Sequence, residues 1–176
     1  KDATLHIFYG WENHDKLAQL RRPDIAAHMR AFKSNVLELL EKHKDSVFWH
    51  GRTDWRHLRQ EWAKSSVFLY PPPSNGFLET FCISVIEAQS VGCIPVTHSE
   101  GALEEIRGEG GWDLYHAGDP EDLNRWMIQD FRDFQRWLDD PKWEDSHDNL
   151  RKQARENAAP HTWERVAKSF AELVPE

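Results

Sequence analysis

The sequence predicts an α/β fold: a doubly wound parallel sheet covered by helices on both faces and followed by a helical C-terminal tail. Two observations predict it. Short apolar, β-rich runs alternate with amphipathic helical patterns from Leu5 to Tyr115, the signature of βαβ units. Beyond Tyr115 the pattern is helical throughout. The length, 176 residues, is room for one domain with a sizeable core. Residues 1–118 are expected to form the sheet-containing core, with residues 119–176 packing on the same domain.

The strands are expected at Leu5–Tyr9, Val47–Trp49, Val67–Tyr70, Ile94–Thr97 and Trp112–Tyr115. Between the first two, Ile25, Met29, Phe32, Val36 and Leu40 recur at steps of three and four and mark one face of a helix. Trp55, Leu58 and Trp62 repeat that spacing over a shorter length, as do Ile83, Ile86 and Ser90, and a brief helix is expected around Ala102–Ile106. Asp119-Pro120-Glu121-Asp122 reads as a helix start, with an acid at the cap, proline at the first position and acids in the first turn. Leu123, Met127, Phe131, Phe134 and Leu138 continue it, and Pro141 stops it. The charged segment Lys142–His161 is expected to be a solvated helix or loop. A last helix runs from about Thr162 to Val174, with Trp163, Val166, Phe170 and Val174 inward.

Composition narrows the function. The hydrophobic fraction is 39% and no apolar run approaches the roughly 18 residues of a membrane span, so a soluble globular chain is expected. Lys and Arg number 22 against 30 Asp and Glu, a net charge of −8, which disfavours a phosphate-tracking nucleic-acid binder. Cys82 and Cys93 form neither a metal spacing nor a disulfide framework, and no secretory leader is visible; a reducing, cytoplasmic setting is expected.

In a doubly wound sheet, ligands bind beyond the carboxyl ends of the strands, where helix N-termini can hold phosphate. No G-x-G-x-x-G and no phosphate-loop lysine motif is present, and Gly108-Glu109-Gly110-Gly111 precedes a strand and reads as a turn. Phe77–Val96 is more informative. Glu79 and Glu87 stand eight positions apart across the start of a helix, a rise of about 12 Å. That matches the span from the sugar to the ribose of a nucleotide-sugar, with the free N–H groups near Phe81–Ile83 under the diphosphate. Spacing alone leaves the plainer reading open, in which Glu79 is an acid favoured by the helix dipole and Glu87 a solvated helix position.

The surrounding residues resemble the donor-site signature of the GT-B glycosyltransferases, specifically glycosyltransferase family 4. The resemblance rests on Glu79, Phe81, Cys82, Glu87-Ala88, Gly92-Cys93-Ile94-Pro95-Val96 and Gly101-Ala102 followed by Glu105, with Val47–Tyr70 as an upstream strand, glycine turn, helix and strand. It implies a Rossmann-like C-terminal half in which Glu79 holds the donor sugar and stabilises charge near the transferring carbon. Thr80, Phe81, Cys82 and Ile83 would bind sugar and diphosphate through their backbone, Glu87 the ribose, and Gly51, Arg52 and Thr53 would lie against the base. The implied function is transfer of a sugar from a nucleoside-diphosphate sugar to an acceptor, with retention, without a metal and without a further cofactor. It also implies an N-terminal acceptor-binding domain outside these residues. Membrane contact and a homodimer stay open as properties of the parent enzyme.

Three departures from the pattern stand out. Cys82 replaces a usual glycine, where a side chain could narrow the sugar pocket, and Ala102 replaces another. Leu5–Tyr9 resembles the second strand of such a half, so the first strand and its diphosphate-clamping Arg and Lys would lie upstream. Trp11, after Gly10, is best placed to touch a base or an acceptor sugar, while Trp55, Trp62, Trp126, Trp137 and Trp163 are expected to pack in or near the core. His50 and His57 could form a metal pair, though no third ligand converges in sequence, and His98 ends a strand at its functional side. Two rival functions share the fold: a nucleotide-sugar epimerase and a non-catalytic interaction domain.

Overall fold

The computed structural model describes residues 3–19, 22–70, 80–99, 101–113 and 120–173. Two compact units divide the chain, Lys1–Leu58 and Arg59–Glu176. Among the described residues every strand pair is parallel, as expected of an α/β fold, in one sheet of two strands and one of three.

In the first unit, β1 (Leu5–Ile7) and β2 (Val47–Trp49) pair with Leu5 opposite Val47 and Ile7 opposite Trp49. The first strand is thus two residues shorter than its apolar run. The connection holds α1 (Glu12–Leu17), which the periodicity did not signal, and α2 (Pro23–Lys42). Pro23 opens α2 where its missing N–H is not needed. Ala26 is buried, and Ile25, Met29, Val36 and Leu40 are half-buried along the expected face. Phe32 departs from that face: it is 49% exposed, its ring tilted against Trp11 and His14.

Lys33 of α2 ties this helix to α1 through a 2.7 Å ion pair with Asp15. The Lys33 ammonium, first by its hydrogen bond and then by its charge, holds the Asp15 carboxyl below the usual carboxylate value. A depressed carboxylate contributes stability that is present above its unfolded pKa, about 4, and is lost as pH falls through the lower folded value. The same sign holds for Asp24 beside Arg22 and Asp140 beside Lys142. Stability measured by urea titration is therefore expected to decline as pH drops below about 4, with a shallower decline in Lys33→Met.

In the second unit, β3 (Val67–Tyr70), β4 (Ile94–Thr97) and β5 (Trp112–Asp113) lie in that order. Its helices are the C-terminal part of α3 (Trp55–Lys64), then α4 (Ile83–Ser90), α5 (Leu103–Arg107), α6 (Pro120–Asp139), α7 (Glu144–Ala158) and α8 (Trp163–Leu173), with a short 3-10 turn at Pro141–Trp143. All four residues of β4 are buried. Its proline is tolerated for a local reason. The Ile94 N–H bonds to Ser66 on the β3 side, and alternation turns Pro95 toward β5, which begins only opposite Val96.

Both faces of this sheet are covered. On one, Cys82, Val85, Ile86, Leu103, Ile106 and Ala158 form a buried cluster against Phe68 and Tyr70. On the other, Ile94, Val96 and Phe134 pack with Val67, Leu69, Trp112, Trp137, Leu138 and Leu150. The period-two alternation of β3 thus feeds the two clusters in turn. A polar clasp joins three helices: Gln89 Nε2 and Asn157 Nδ2 each donate to the Arg107 carbonyl at 3.0 Å.

Three local expectations are corrected. Lys142–His161 holds a helix that is solvated on one face but packed on the other: α7 buries Ala154 and Ala158 against the sheet's helices. Its first turn and mid-portion are charged, and small alanines do the packing. On α4 the inward face is Val85, Ile86, Ala88 and Gln89, while Ile83 is 54% exposed and Ser90 is exposed. Trp163 is 84% exposed and Trp55 63% exposed, whereas Trp62 is buried as expected. Val174 and the Asp119 cap lie outside the described residues.

The close passage of α7 gives a steric prediction. A Cβ on Gly110 would sit 2.7 Å from the Ala154 nitrogen and 2.9 Å from the Gln153 carbonyl carbon. Backbone cannot yield as a flexible side chain does, so Gly110→Ala is expected to cost about 1–3 kcal/mol, read as a lower urea midpoint. Cys93 gives a chemical one. Its thiol is fully buried and donates to the Trp62 carbonyl at 2.9 Å, and burial pushes its pKa up to about 11. Iodoacetamide at pH 8 is expected to leave Cys93 unlabelled in the native protein and to label it after unfolding. No helix among the described residues is long and apolar enough to cross a membrane.

Candidate functional site

The segment Thr80-Phe81-Cys82 leads into α4, whose first N–H groups have no acceptor within the helix. The Cys82 thiol does not cap them, and no acid occupies the first turn. The positive end of the helix dipole is therefore left without a compensating side chain on the helix itself. Thr80 is exposed, and Phe81 and Ile83 are 53% and 54% exposed. The later apolar residues of α4, Val85, Ile86 and Ala88, are by contrast all buried.

Cys82 resolves one departure from the expected pattern. Its φ is −97°, a conformation open to any side chain, and the side chain is 5% exposed within the cluster of Val85, Ile86 and Leu103. The residue that replaces glycine thus points into the core and not outward from the helix start. Ala102, the other replacement, precedes α5 at φ −78° and packs against the same cluster.

Glu87 is exposed and stands one turn beyond Ile83, an i, i+4 pair on the outward face of α4, about 6 Å further along the axis. Its carbonyl accepts a 2.7 Å hydrogen bond from Ser90 Oγ. Ile83 and Glu87 therefore share one exposed face of α4, and exposed Thr80 and Phe81 lead into its start. Glu79 lies outside the described residues. His161, which no sequence signal singled out, meets the Phe81 ring edge-on at 6.3 Å. It follows α7 in the chain, far from the motif, and only the folding of α7 onto α4 brings it there.

Gly51, Arg52 and Thr53 belong to the first unit, directly after β2. Gly51 has φ +70°, so a residue free to adopt the left-handed region is needed at that turn. Arg52 is exposed and Thr53 half-buried. Asp54 caps α3, its Oδ1 accepting from the N–H groups of Arg56 and His57 at 2.8 and 3.0 Å. His50 pairs with His6 at 2.9 Å and stacks on Phe8, while His57 is tilted to the same phenyl ring. No group of three or more His, Cys, Asp or Glu among the described residues could hold a metal ion.

Residues 32–159 match the family Glycosyl transferases group 1. The chain belongs to that family. Among solved structures, this group 1 glycosyltransferase chain is similar to sucrose-phosphate synthase from Thermosynechococcus elongatus, at 21% identity and a TM-score of 0.60. The match covers 98% of this chain and 45% of that one. AviGT4, a glycosyltransferase involved in avilamycin A biosynthesis, matches at 14% identity and a TM-score of 0.44 over 98% of this chain and 52% of that one. The chain thus spans about half the length of these structures. The fold is that of a GT-B C-terminal domain. No curated protein sequence matches it significantly.

Proposed function

We propose that this chain is the donor-binding half of a retaining glycosyltransferase that takes its sugar from a nucleoside-diphosphate sugar. The observation that carries the reading is the start of α4, which has no acid in its first turn and no cap from the Cys82 side chain, with exposed Glu87 one turn beyond Ile83. Family membership supports glycosyl transfer as the chemistry.

In this reading the N–H groups at Phe81–Ile83 bind the diphosphate, and the helix dipole stabilises the charge that develops as the bond from the sugar's anomeric carbon to the diphosphate oxygen breaks. No metal ion is required for that role. Glu87 accepts hydrogen bonds from the ribose hydroxyls. Glu79 holds the sugar, and the acceptor hydroxyl attacks the same face that the diphosphate leaves, passing its proton to the departing phosphate. The acceptor-binding domain and the basic pair that clamps the diphosphate belong to a longer parent protein, which would also carry any membrane contact.

Calorimetric titration of the chain with UDP, GDP and ADP tests the reading. Saturable binding of one of them is expected. The absence of heat with all three would overturn donor binding by this chain.

A further inference from the structure

Two imidazoles meet across the sheet of the first unit. Alternation puts His6 of β1 on the same face as its register partner Phe48 of β2, and His50, two residues beyond Phe48, returns to that face. His6 Nδ1 stands 2.9 Å from His50 Nε2, and both residues are exposed. Both lie within Lys1–Leu58.

The pair is held from several sides. The His50 N–H bonds to the Ile7 carbonyl at 2.9 Å, which fixes the backbone beyond β2 against β1. The Phe8 ring stacks on the His50 ring at 4.5 Å with an interplanar angle of 8°, and the Phe48 ring lies 5.1 Å from that of His6. Thr4 Oγ1 is 3.2 Å from His6 Nε2. A proton on that nitrogen, donated to Thr4, leaves His6 Nδ1 with its lone pair toward His50.

We propose that His6 and His50 form a two-histidine clasp for a divalent transition-metal ion of the Cu(II) or Ni(II) class, joining β1 to β2, with water in the remaining positions. Neutral imidazole suits these ions, and the spacing favours them over a tetrahedral one. Two metal–nitrogen bonds of about 2.0–2.1 Å whose ends are 2.9 Å apart enclose about 90°, the cis angle of square-planar and octahedral sites. A tetrahedral ion needs the nitrogens about 3.3–3.4 Å apart. On loading, the proton that His50 shares with His6 leaves Nε2, and His50 Nδ1 takes one up from solvent. Both nitrogens facing the ion are then unprotonated and both rings stay neutral. Metal binding here is independent of the donor reading and gives the ion no part in glycosyl transfer.

Equilibrium dialysis against the chlorides of copper(II), nickel(II) and zinc(II), in a weakly coordinating buffer at about pH 7.5 where imidazole is neutral, tests the clasp. A saturable Cu(II) site is expected, with Ni(II) binding ahead of Zn(II). Each of His6→Gln and His50→Gln is expected to weaken Cu(II) binding roughly 100-fold or more, because a chelating pair becomes a single donor. His28→Gln and His43→Gln, exposed histidines elsewhere in the unit, should bind as wild type does. Cu(II) is also expected to raise the urea midpoint of wild type and of neither clasp variant. Saturation only at millimolar metal, or Cu(II) affinity kept in either clasp variant, would overturn the proposal. Zn(II) binding tighter than Ni(II) would overturn the cis geometry. A measurement on wild type alone guards against variants that fail to fold: Ni(II) should slow the modification of His6 and His50 by diethyl pyrocarbonate and leave His28 and His43 unaffected. Equal rates at all four with and without metal would also remove the clasp.

Discussion

Phe134→Ala is expected to lower the stability of the chain by about 3–5 kcal/mol, the range for removing a fully buried phenyl ring. Phe134 is 1% exposed and packs against Trp112 and Trp137, at centroid distances of 5.1 and 5.7 Å, the two indoles being 5.6 Å from one another. It also contacts the central-strand side chains Ile94 and Val96 in the same cluster. Two large rigid indoles, themselves packed on one another, restrict collapse into the vacated space, so the cavity cost adds to the transfer cost. Against a typical total of about 5–15 kcal/mol this is a large fraction. Urea titration followed by tryptophan fluorescence gives the measurement, since Trp112 and Trp137 report on that neighbourhood. A loss below about 1 kcal/mol would mean that Phe134 does not anchor α6 to the sheet.

Glu87→Ala is expected to leave stability within about 0.5 kcal/mol while weakening nucleotide binding roughly 10- to 100-fold. The two halves of this prediction have different origins. Glu87 is exposed, opposite the buried Val85 and Gln89 face of α4, and its truncation opens no cavity. Alanine also favours the helix. The affinity change comes from hydrogen bonds between a carboxylate and ribose hydroxyls, which are stronger than neutral pairs. Glu104→Ala is the control, an exposed acid in the first turn of α5 with no assigned role. Calorimetry should find the control unchanged. Equal affinities in Glu87→Ala and wild type would take the ribose contact away from this residue.

The strands were the most legible part of the sequence. Each is a compact apolar run between turn residues, and all five begin where the pattern placed them, with β1 ending early at Ile7 and β5 described to Asp113. The long helices α2 and α6 were legible for a related reason, since twenty residues give the period room to repeat. Short or alanine-packed helices carried no such signal. Six-residue α1 spans under two turns, and α7 packs through Ala154 and Ala158, residues too small to form an apolar stripe. Tryptophan misled in the opposite direction: Trp55 and Trp163 fit helical apolar spacing yet face outward, because periodicity does not say whether a second layer covers that face. At the candidate site, the motif located α4 and Glu87, whereas His161 beside Phe81 depends on a tertiary contact that no local pattern encodes. The orientation of Cys82 was equally hidden, since inward and outward positions at a helix start differ by one residue.

The all-parallel pairing also sets how the chain reaches its native state. Leu5 must find Val47 across α1 and α2, Val67 must find Ile94 across α4, and Val96 must find Trp112 across α5, before those strand pairs gain a hydrogen bond. Each pairing closes a long loop whose entropy is lost first and recovered only when the crossover helix docks. A chain rich in helices would otherwise assemble through local contacts in micro- to milliseconds. Here the rate is governed by strand encounter, so refolding slower than that of a helical bundle of similar length is the kinetic counterpart of the sheet's topology.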